Sequence, residues 1–277
     1  MTLTAPGLDA RSLQLRKAIV ETVASSSRRG HIASAFSVVE ILRVLYDEVL
    51  RYDAANPKWP GRDRFILSKG HGCLALYVLL AEKGFFPRSE LQLFCKSEGI
   101  LGGHPEHGKV PGVEFSTGSL GHGLPVGVGM AVAAKRDGNS HRVFAVLGDG
   151  ESNEGSVWEA ALSAAKHKLD NLTVMVDYNK QQSYGTTSEV LELEPFGDKW
   201  RAFGFAVKEV DGHDINQLRG LLGKLPLAAG KPSSIICHTV KGRGVSFVEK
   251  NFSWHHKNRV TDEELTALLS ELEVEPI

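Results

Sequence analysis

Two apolar strands that flank a helix constrain the fold of this chain more than any other feature. The run RVFAVLGDG precedes the helical pattern SVWEAALSAAKHK, and the run NLTVMVDYNK follows it. This succession has the length of a βαβ unit, whose strands are parallel and whose connection is right-handed. Strands predicted over residues 206–210 and 234–239, with the helix INQLRGLLGKL between them, extend the pattern. The sequence therefore predicts an α/β fold, with a parallel sheet and helices on both faces.

The first third of the chain is predicted to be mainly helical. Apolar residues at helical spacing predict helices over residues 9–26 and 38–50, and a third helix over CLALYVLLAEKGF that ends at Gly84. The short apolar run RFILS, just before the third helix, reads as a strand. The segments RRGHIASAFS and 99–129 are predicted to be loops. In the second segment the many glycines would let the backbone approach a ligand closely.

Composition narrows the class of protein. The 277 residues carry 32 basic and 33 acidic side chains, so the net charge of -1 gives no electrostatic footprint for nucleic acid or an anionic membrane. We expect one large domain over residues 1–277, with a C-terminal extension. The three cysteines lack metal-type spacing and are expected to be reduced thiols in the cytosol. No export or membrane insertion is expected, and the predicted location is cytoplasmic.

Polar residues follow the two strands of the βαβ unit. Asp149 comes just after the first strand and Asn179 just after the second. The carboxyl ends of parallel strands share one edge of the sheet, where α/β proteins bind ligands. A carboxylate, an amide oxygen and a loop carbonyl are hard oxygen ligands that suit magnesium. The sequence GDG alone is common in ordinary turns, so the order of strand, GDG, helix, strand and Asn carries the prediction.

This full pattern resembles the thiamine diphosphate motif GDG...N. The resemblance implies a thiamine diphosphate-binding fold with Mg²⁺ held by the side chains of Asp149 and Asn179 and by the carbonyl of Gln181. It also implies that Gly150 contacts the diphosphate of the cofactor.

Histidine-containing loops narrow the family further. The segments LSKGHGCLALY, GGHPE and STGSLGHG resemble transketolase signatures, and GHPE is not expected in pyruvate-dehydrogenase-type subunits or deoxyxylulose-phosphate synthases. The resemblance implies that His71 contacts the diphosphate. It also implies a loop that holds the cofactor, formed by Gly118, Ser119 and Leu120. Two further histidines, His31 and His104, are implied to face the substrate.

The segment KGRGVSFVEKNFSWHHK is similar to the transketolase stretch that carries a histidine for substrate and cofactor. Alignment from WH favours His255, and the adjacent His256 remains the alternative. Neutral imidazoles near cellular pH can donate or accept the protons that a reacting carbonyl requires. Ordinary structural roles are predicted for the other histidines considered, His107, His141, His167 and His213.

Glu154 has two readings. It is either a solvated carboxylate at a helix start, favoured by the helix dipole, or, by the resemblance, a residue near the interface between two active sites. Trp158 and Trp200 are predicted to serve packing.

The resemblance covers residues 13–257 but only the N-terminal part of a full transketolase. It implies a split enzyme, in which a partner chain supplies the pyrimidine-binding half, a glutamate that activates the ring and most sugar-phosphate contacts. We expect an α2β2 heterotetramer that transfers a two-carbon ketol unit from a ketose to an aldose in carbohydrate metabolism of the pentose phosphate kind. The alternatives are an E1 alpha-type subunit of a two-oxoacid dehydrogenase and a non-catalytic cofactor-holding subunit.

Overall fold

A five-stranded parallel sheet lies at the centre of the structure, a computed structural model that describes residues 8–255, 257 and 259–272. The strands are β1 (Arg64–Leu67), β2 (Val143–Gly148), β3 (Leu172–Tyr178), β4 (Ala206–Asp211) and β5 (Ser233–His238). Their order is β1-β2-β3-β5-β4, and every neighbouring pair is parallel. After β3 the chain forms β4 at the far edge of the sheet, and β5 then lies between β3 and β4. The predicted parallel sheet is confirmed.

Helices cover both faces of the sheet because side chains along each strand alternate between them. In β2, Phe144 and Val146 pack into the core on one face, whereas Ala145 and Leu147 pack into the core on the other. The first core is covered by α1 (Ala10–Ser25), α2 (Ile32–Phe36), α3 (Val39–Val44), α4 (Cys73–Glu82), α9 (Ile215–Leu222) and α10 (Asp262–Glu271). The second is covered by α5 (Gly123–Arg136), α6 (Gly155–Lys166) and α8 (Phe196–Ala202), and the short α7 (Thr187–Val190) follows β3.

Local signals set several boundaries as predicted. Asp9 caps α1, since its carboxylate accepts a hydrogen bond from the Ser12 amide at 2.9 Å. The helix predicted over residues 38–50 is α3 followed by a π-helical turn, Leu45–Val49. Trp158 and Trp200 pack together with ring centres 5.1 Å apart, and all three cysteines are free thiols. No helix among the described residues is long and apolar enough to cross a bilayer.

Two segments predicted to be loops are partly helical. The segment RRGHIASAFS contains α2, whose five residues are all buried against the first core. The glycine-rich stretch 99–129 contains the start of α5, where a Cβ at Gly123 would collide with Ser68. The prediction was wrong here because glycine at this position allows α5 to pack closely against Ser68, just after β1, rather than forming a turn. Helices α7, α8 and α10 were not predicted either.

Candidate functional site

The predicted ligands Asp149 and Asn179 emerge from neighbouring strands at the carboxyl edge of the sheet. Both are buried, with 2% and 8% of their surfaces exposed. The Asp149 carboxylate accepts hydrogen bonds from the Gly150 amide at 2.7 Å and the Lys180 amide at 2.5 Å. It therefore ties the end of β2 to the loop after β3, and the structure brings the two predicted residues to one place.

A second carboxylate, which sequence reasoning missed, orients Asn179. Asp177, the penultimate residue of β3, is fully buried and accepts a hydrogen bond from Nδ2 of Asn179 at 3.1 Å. It also contacts the Lys69 ammonium and accepts a bond from Ser37 Oγ at 2.7 Å. Burial alone would raise the pKa of Asp177, but the Lys69 charge and these hydrogen bonds outweigh it and lower that pKa. Because Nδ2 of Asn179 is held in this way, Oδ1 of the same side chain accepts a hydrogen bond from the Gln181 amide at 3.1 Å.

The electrostatics of Asp149 are those of a site that accepts a cation. Burial raises the pKa of Asp149 to about 6, and the negative charge of Asp177 acts in the same direction. Several buried side-chain atoms of the described residues have no hydrogen-bond partner, and two of them lie at this edge, Oε1 of Gln181 and Nε2 of Gln182. Because buried polar atoms in proteins nearly always have partners, these two suit a bound group. The Gln181 carbonyl, the third predicted metal ligand, accepts a hydrogen bond from Lys241 Nζ at 3.3 Å.

These groups line a cavity of about 130 Å³ at the carboxyl edge of the sheet. We call it the cofactor cavity. Its lining residues are Ser34, Lys69, His71, Leu120, Gly148, Asp149, Gly150, Glu151, Asn179, Gln181, Gln182, Ser183, Tyr184, Lys241 and His255.

Two buried lysines, Lys69 and Lys241, line the cofactor cavity, and sequence reasoning did not assign them a role. Burial lowers the pKa of Lys241 to about 7, and the nearby charge of Lys69 acts in the same direction. Nζ of Lys241 lies 2.5 Å from Nδ1 of His255, whose Nε2 lies 3.1 Å from Ser183 Oγ. Lys69 and Lys241 stand in the quoted segments LSKGHGCLALY and KGRGVSFVEKNFSWHHK, but their burial beside carboxylates distant in sequence is not a property of either segment.

The residues of the predicted cofactor loop lie in different surroundings. Leu120 lines the cofactor cavity, whereas Ser119 is exposed and does not line it. Gly118 packs against the His104 ring, where a Cβ would lie 3.0 Å from Cγ, and its φ of +135° also requires glycine. Gly150 lines the cavity beside the Gln182 side chain.

Four predicted histidines converge around the cofactor cavity. The ring centre of His71 lies 4.8 Å from that of His31, 5.5 Å from that of His104 and 6.2 Å from that of His255. Nδ1 of His31 lies 2.9 Å from the His255 carbonyl oxygen. His31 and His104 also line an adjoining cleft of about 520 Å³, which we call the outer cleft. The alternative, His256, lies outside the described residues.

Burial keeps the central histidine neutral. It lowers the pKa of His71 to about 3, with the neighbouring His31 and Lys69 acting in the same direction, and it also lowers the pKa of His104. A histidine with an ordinary pKa near 6.5 would gain a proton as the pH falls below that value.

We therefore expect no protonation of His71 between pH 8 and 5. Imidazole ¹⁵N chemical shifts, assigned with a His71→Gln variant, measure this directly. The unfolded chain binds this proton near pH 6.5 and the folded chain only near 3, so the His71 contribution makes the fold less stable as the pH falls between those values. A midpoint near 6.5 for the folded protein would contradict the expectation.

The four histidines for which ordinary structural roles were predicted line neither the cofactor cavity nor the outer cleft. His213 is a satisfied core residue, since Nδ1 lies 2.8 Å from Glu40 Oε2 and Nε2 accepts a hydrogen bond from the Val240 amide at 2.9 Å. Nδ1 of His107 lies 2.9 Å from the Val113 carbonyl oxygen. His141 and His167 line neither space.

Two glutamates follow the GDG sequence and differ in surroundings. Glu154 is exposed at the start of α6, so both readings of its role remain open. Glu151, which sequence reasoning missed, is buried and accepts hydrogen bonds from the amides of Gly121 at 2.9 Å and Gly148 at 3.1 Å, and from Ser68 Oγ. It thereby joins the glycine-rich loop to the end of β2.

Comparison with known proteins identifies the family. Residues 9–277 match the thiamine diphosphate-binding domain of transketolase. The chain belongs to the transketolase family. It is 45% identical to an apulose-4-phosphate transketolase subunit of Actinobacillus succinogenes over 94% of both chains. It is 42% identical to a 6-deoxy-6-sulfo-D-fructose transketolase subunit of Clostridium sp. strain MSTE9 over 89% of both.

Single-chain transketolases match over part of their length. The transketolase of Leishmania mexicana superposes with a TM-score of 0.87 at 30% identity, over 95% of this chain and 41% of that one. The chain thus spans about two fifths of that structure. The prediction of a thiamine diphosphate-binding, N-terminal subunit of transketolase type is confirmed, and so is the predicted thiamine diphosphate-binding fold.

Proposed function

We propose that this transketolase-family chain binds Mg²⁺ and thiamine diphosphate in the cofactor cavity. Together with a partner chain, it transfers a two-carbon ketol unit from a ketose to an aldose. The observation that carries the proposal is the meeting of Asp149 and Asn179 at one buried edge that also holds two lysines and His71. Family membership favours this reaction over decarboxylation by an E1 alpha-type subunit.

The residues present fit both groups. Oxygens of Asp149, Asn179 and the Gln181 carbonyl form the hard donor set that Mg²⁺ prefers. The Gln181 carbonyl would exchange its hydrogen bond from Lys241 for the metal. The diphosphate would lie against Gly150, which follows β2, and would contact His71, Lys69 and Lys241, beside the 118–120 loop.

The chemistry divides between cofactor and protein. When bound, thiamine diphosphate would supply the electron sink for the electron pair released when the carbon–carbon bond next to the substrate carbonyl breaks. His31 and His104, in the outer cleft, orient the sugar hydroxyls and the reacting carbonyl. Lys241 donates to Nδ1 of His255, so Nε2 of His255 carries the ring proton, 3.1 Å from Ser183 Oγ. Histidine side chains are the most common general acids and bases in enzymes.

The substrates we propose are anionic sugars. Two relatives are named for apulose-4-phosphate and for 6-deoxy-6-sulfo-D-fructose, which both carry a charged group at one end. The shared feature is a tetrahedral oxyanion on a ketose.

A partner supplies the pyrimidine-binding half in this proposal. Relatives of matching length are named as subunits of transketolases, and single-chain relatives are more than twice as long. Tyr184, 94% exposed, lies at the mouth of the cofactor cavity, and Val190 and Leu191 are exposed nearby in sequence. Apolar surface of this kind beside a site is typical of a protein interface. We propose an α2β2 assembly in the cytoplasm, where the three free thiols would stay reduced.

Calorimetry and a reconstituted assay test the function. The chain should bind thiamine diphosphate in the presence of Mg²⁺ and lose that binding when the metal is chelated. The complex with its partner should then transfer ketol units between a ketose phosphate and an aldose phosphate. Decarboxylation of a two-oxoacid without ketol transfer would contradict the proposal.

We expect His71 and His255 to be separable by mutation. His71→Ala should weaken thiamine diphosphate binding by about 10-fold or more, because it removes a diphosphate contact, while saturating cofactor restores turnover. His255→Ala should leave cofactor affinity nearly unchanged and lower kcat by about 100-fold or more, since general acid-base groups contribute on that order.

His256→Ala serves as the matched control. It removes the adjacent imidazole and should change neither quantity by more than a small factor. A loss of kcat in His256→Ala instead of His255→Ala would show that the assignment from WHHK is displaced by one residue.

A further inference from the structure

The outer cleft carries positive charge that the proposed roles of its histidines leave unexplained. It is lined by Arg29, Gly30, His31, Phe94, Cys95, Gly103, His104 and Lys257. Two of these side chains are permanent cations at neutral pH, and no carboxylate lines the cleft in the described part of the chain. The cleft therefore favours an anionic occupant.

The two cations differ in how far their charge is compensated. Nζ of Lys257 lies 2.5 Å from Oε1 of Glu264 and 4.9 Å from the centre of the Trp254 ring. Arg29 is exposed and has no ion pair or hydrogen bond with any residue that the structure describes. Arg29 is thus the cation of the outer cleft that is available to a ligand.

The position of Arg29 is fixed relative to the histidines. It precedes His31 by two residues, so their Cα atoms lie within about 7 Å of each other. Gly30 between them has a φ of +141°, a conformation that other residues rarely adopt, and a Cβ there would lie 2.8 Å from Leu74 Cδ1. His31 is held in turn by its contact with the His255 carbonyl.

The surroundings place the Arg29 charge inside the cleft. Burial raises the pKa of the Cys95 thiol, while Arg29 acts on it in the opposite direction, so the two side chains are within electrostatic range. Cys95 in turn lies beside Gly103, next to His104. A sugar whose carbonyl sits at His31 and His104 would therefore find Arg29 further along the same cleft.

We propose that Arg29 binds the terminal tetrahedral oxyanion, phosphate or sulfonate, of the sugar substrate. This inference rests on the proposed function and adds to it that this chain, and not only its partner, selects charged sugars. The planar guanidinium suits the purpose because it offers paired N–H donors that match two oxygens of such a group.

Kinetics of the reconstituted complex test the role of Arg29. Arg29→Gln should raise KM for fructose 6-phosphate and for its 6-deoxy-6-sulfonate counterpart by about 10- to 100-fold, the range for a lost charge-assisted contact, with kcat nearly unchanged. KM for uncharged fructose should not change. Arg29→Lys should recover part of the affinity, and the ratio of phosphate to sulfonate affinity distinguishes the two groups.

Arg88→Gln is the matched control, since Arg88 is also exposed but does not line the cleft. Binding of inorganic phosphate to the cofactor-loaded chain, measured by calorimetry, reports on Arg29 without turnover and should be lost in Arg29→Gln alone. An unchanged KM for the charged sugars, or an equal rise for fructose, would overturn the inference and leave ketol transfer intact. Loss of cofactor binding or of all ketol transfer in the unmodified complex would instead contradict the proposed function.

Discussion

Asp149→Ala should abolish measurable thiamine diphosphate binding in the presence of Mg²⁺ and leave the fold intact. Residues that only support a metal ligand cost about 10- to 100-fold in affinity when removed, so loss of a direct ligand should cost at least about 100-fold. Isothermal titration calorimetry with the isolated chain measures the affinity, and circular dichroism follows thermal unfolding.

The fold should survive because the native carboxylate is poorly stabilised without a cation. Its removal eliminates two backbone hydrogen bonds, from Gly150 and Lys180, each contributing about 1 kcal/mol. It also eliminates a buried negative charge beside Asp177, the repulsion that helps to raise the pKa of Asp149. The two effects oppose each other, so the change in the free energy of unfolding should be small.

Two further variants serve as comparisons for Asp149→Ala. Asp198→Ala removes a carboxylate that is 69% exposed on α8, outside the cofactor cavity, and should bind the cofactor normally. Asp149→Asn keeps one oxygen, and with it one of the two backbone hydrogen bonds, and should retain part of the affinity. If Asp149→Ala binds the cofactor as well as the unmodified chain does, the metal site proposed at this edge is wrong.

Ketol transfer should be undetectable with the isolated chain and should arise when the partner chain is added. A cofactor cavity walled by one subunit leaves bound cofactor open to water and supplies no glutamate to its aminopyrimidine ring. The assay follows transfer between a ketose phosphate and an aldose phosphate with saturating Mg²⁺ and thiamine diphosphate, before and after the partner is added.

Light scattering of the active mixture should give two copies of each chain. Tyr184→Ser offers a structural control, because it removes an exposed aromatic ring at the mouth of the cavity and should weaken assembly more than cofactor binding. Full activity of the isolated chain would rule out the split-enzyme proposal.

The positions of Asp149 and Asn179 illustrate how much of the site was accessible from sequence. Each follows a strongly apolar strand, and the strands belong to one βαβ unit, so their carboxyl ends had to meet. The same reasoning did not reach Asp177, although it lies two residues before Asn179. Its role depends on Lys69, a contact across 108 positions of sequence.

Some helices could likewise be predicted from the sequence, and others could not. Helix α1 and helix α6 have apolar periodicity and clear ends, and both were predicted within a few residues. Helix α2 is buried on all sides and therefore shows no polar face, while α5 begins among glycines that normally indicate loops. Glycine at position 123 is required by the close approach of Ser68, which is a fact of packing rather than of local preference.

The sequence by itself determined the parallel α/β sheet, the edge at which polar ligands gather and the family to which the chain belongs, because these depend on periodicity and on short motifs. Tertiary structure alone decided which charged side chains are buried beside that edge. Lys241 acquires its lowered pKa and its contact with His255, and Arg29 its place in the outer cleft, from neighbours that fold together from distant parts of the chain. Desolvation and charge pairing depend on such long-range contacts, which no local pattern of residues encodes.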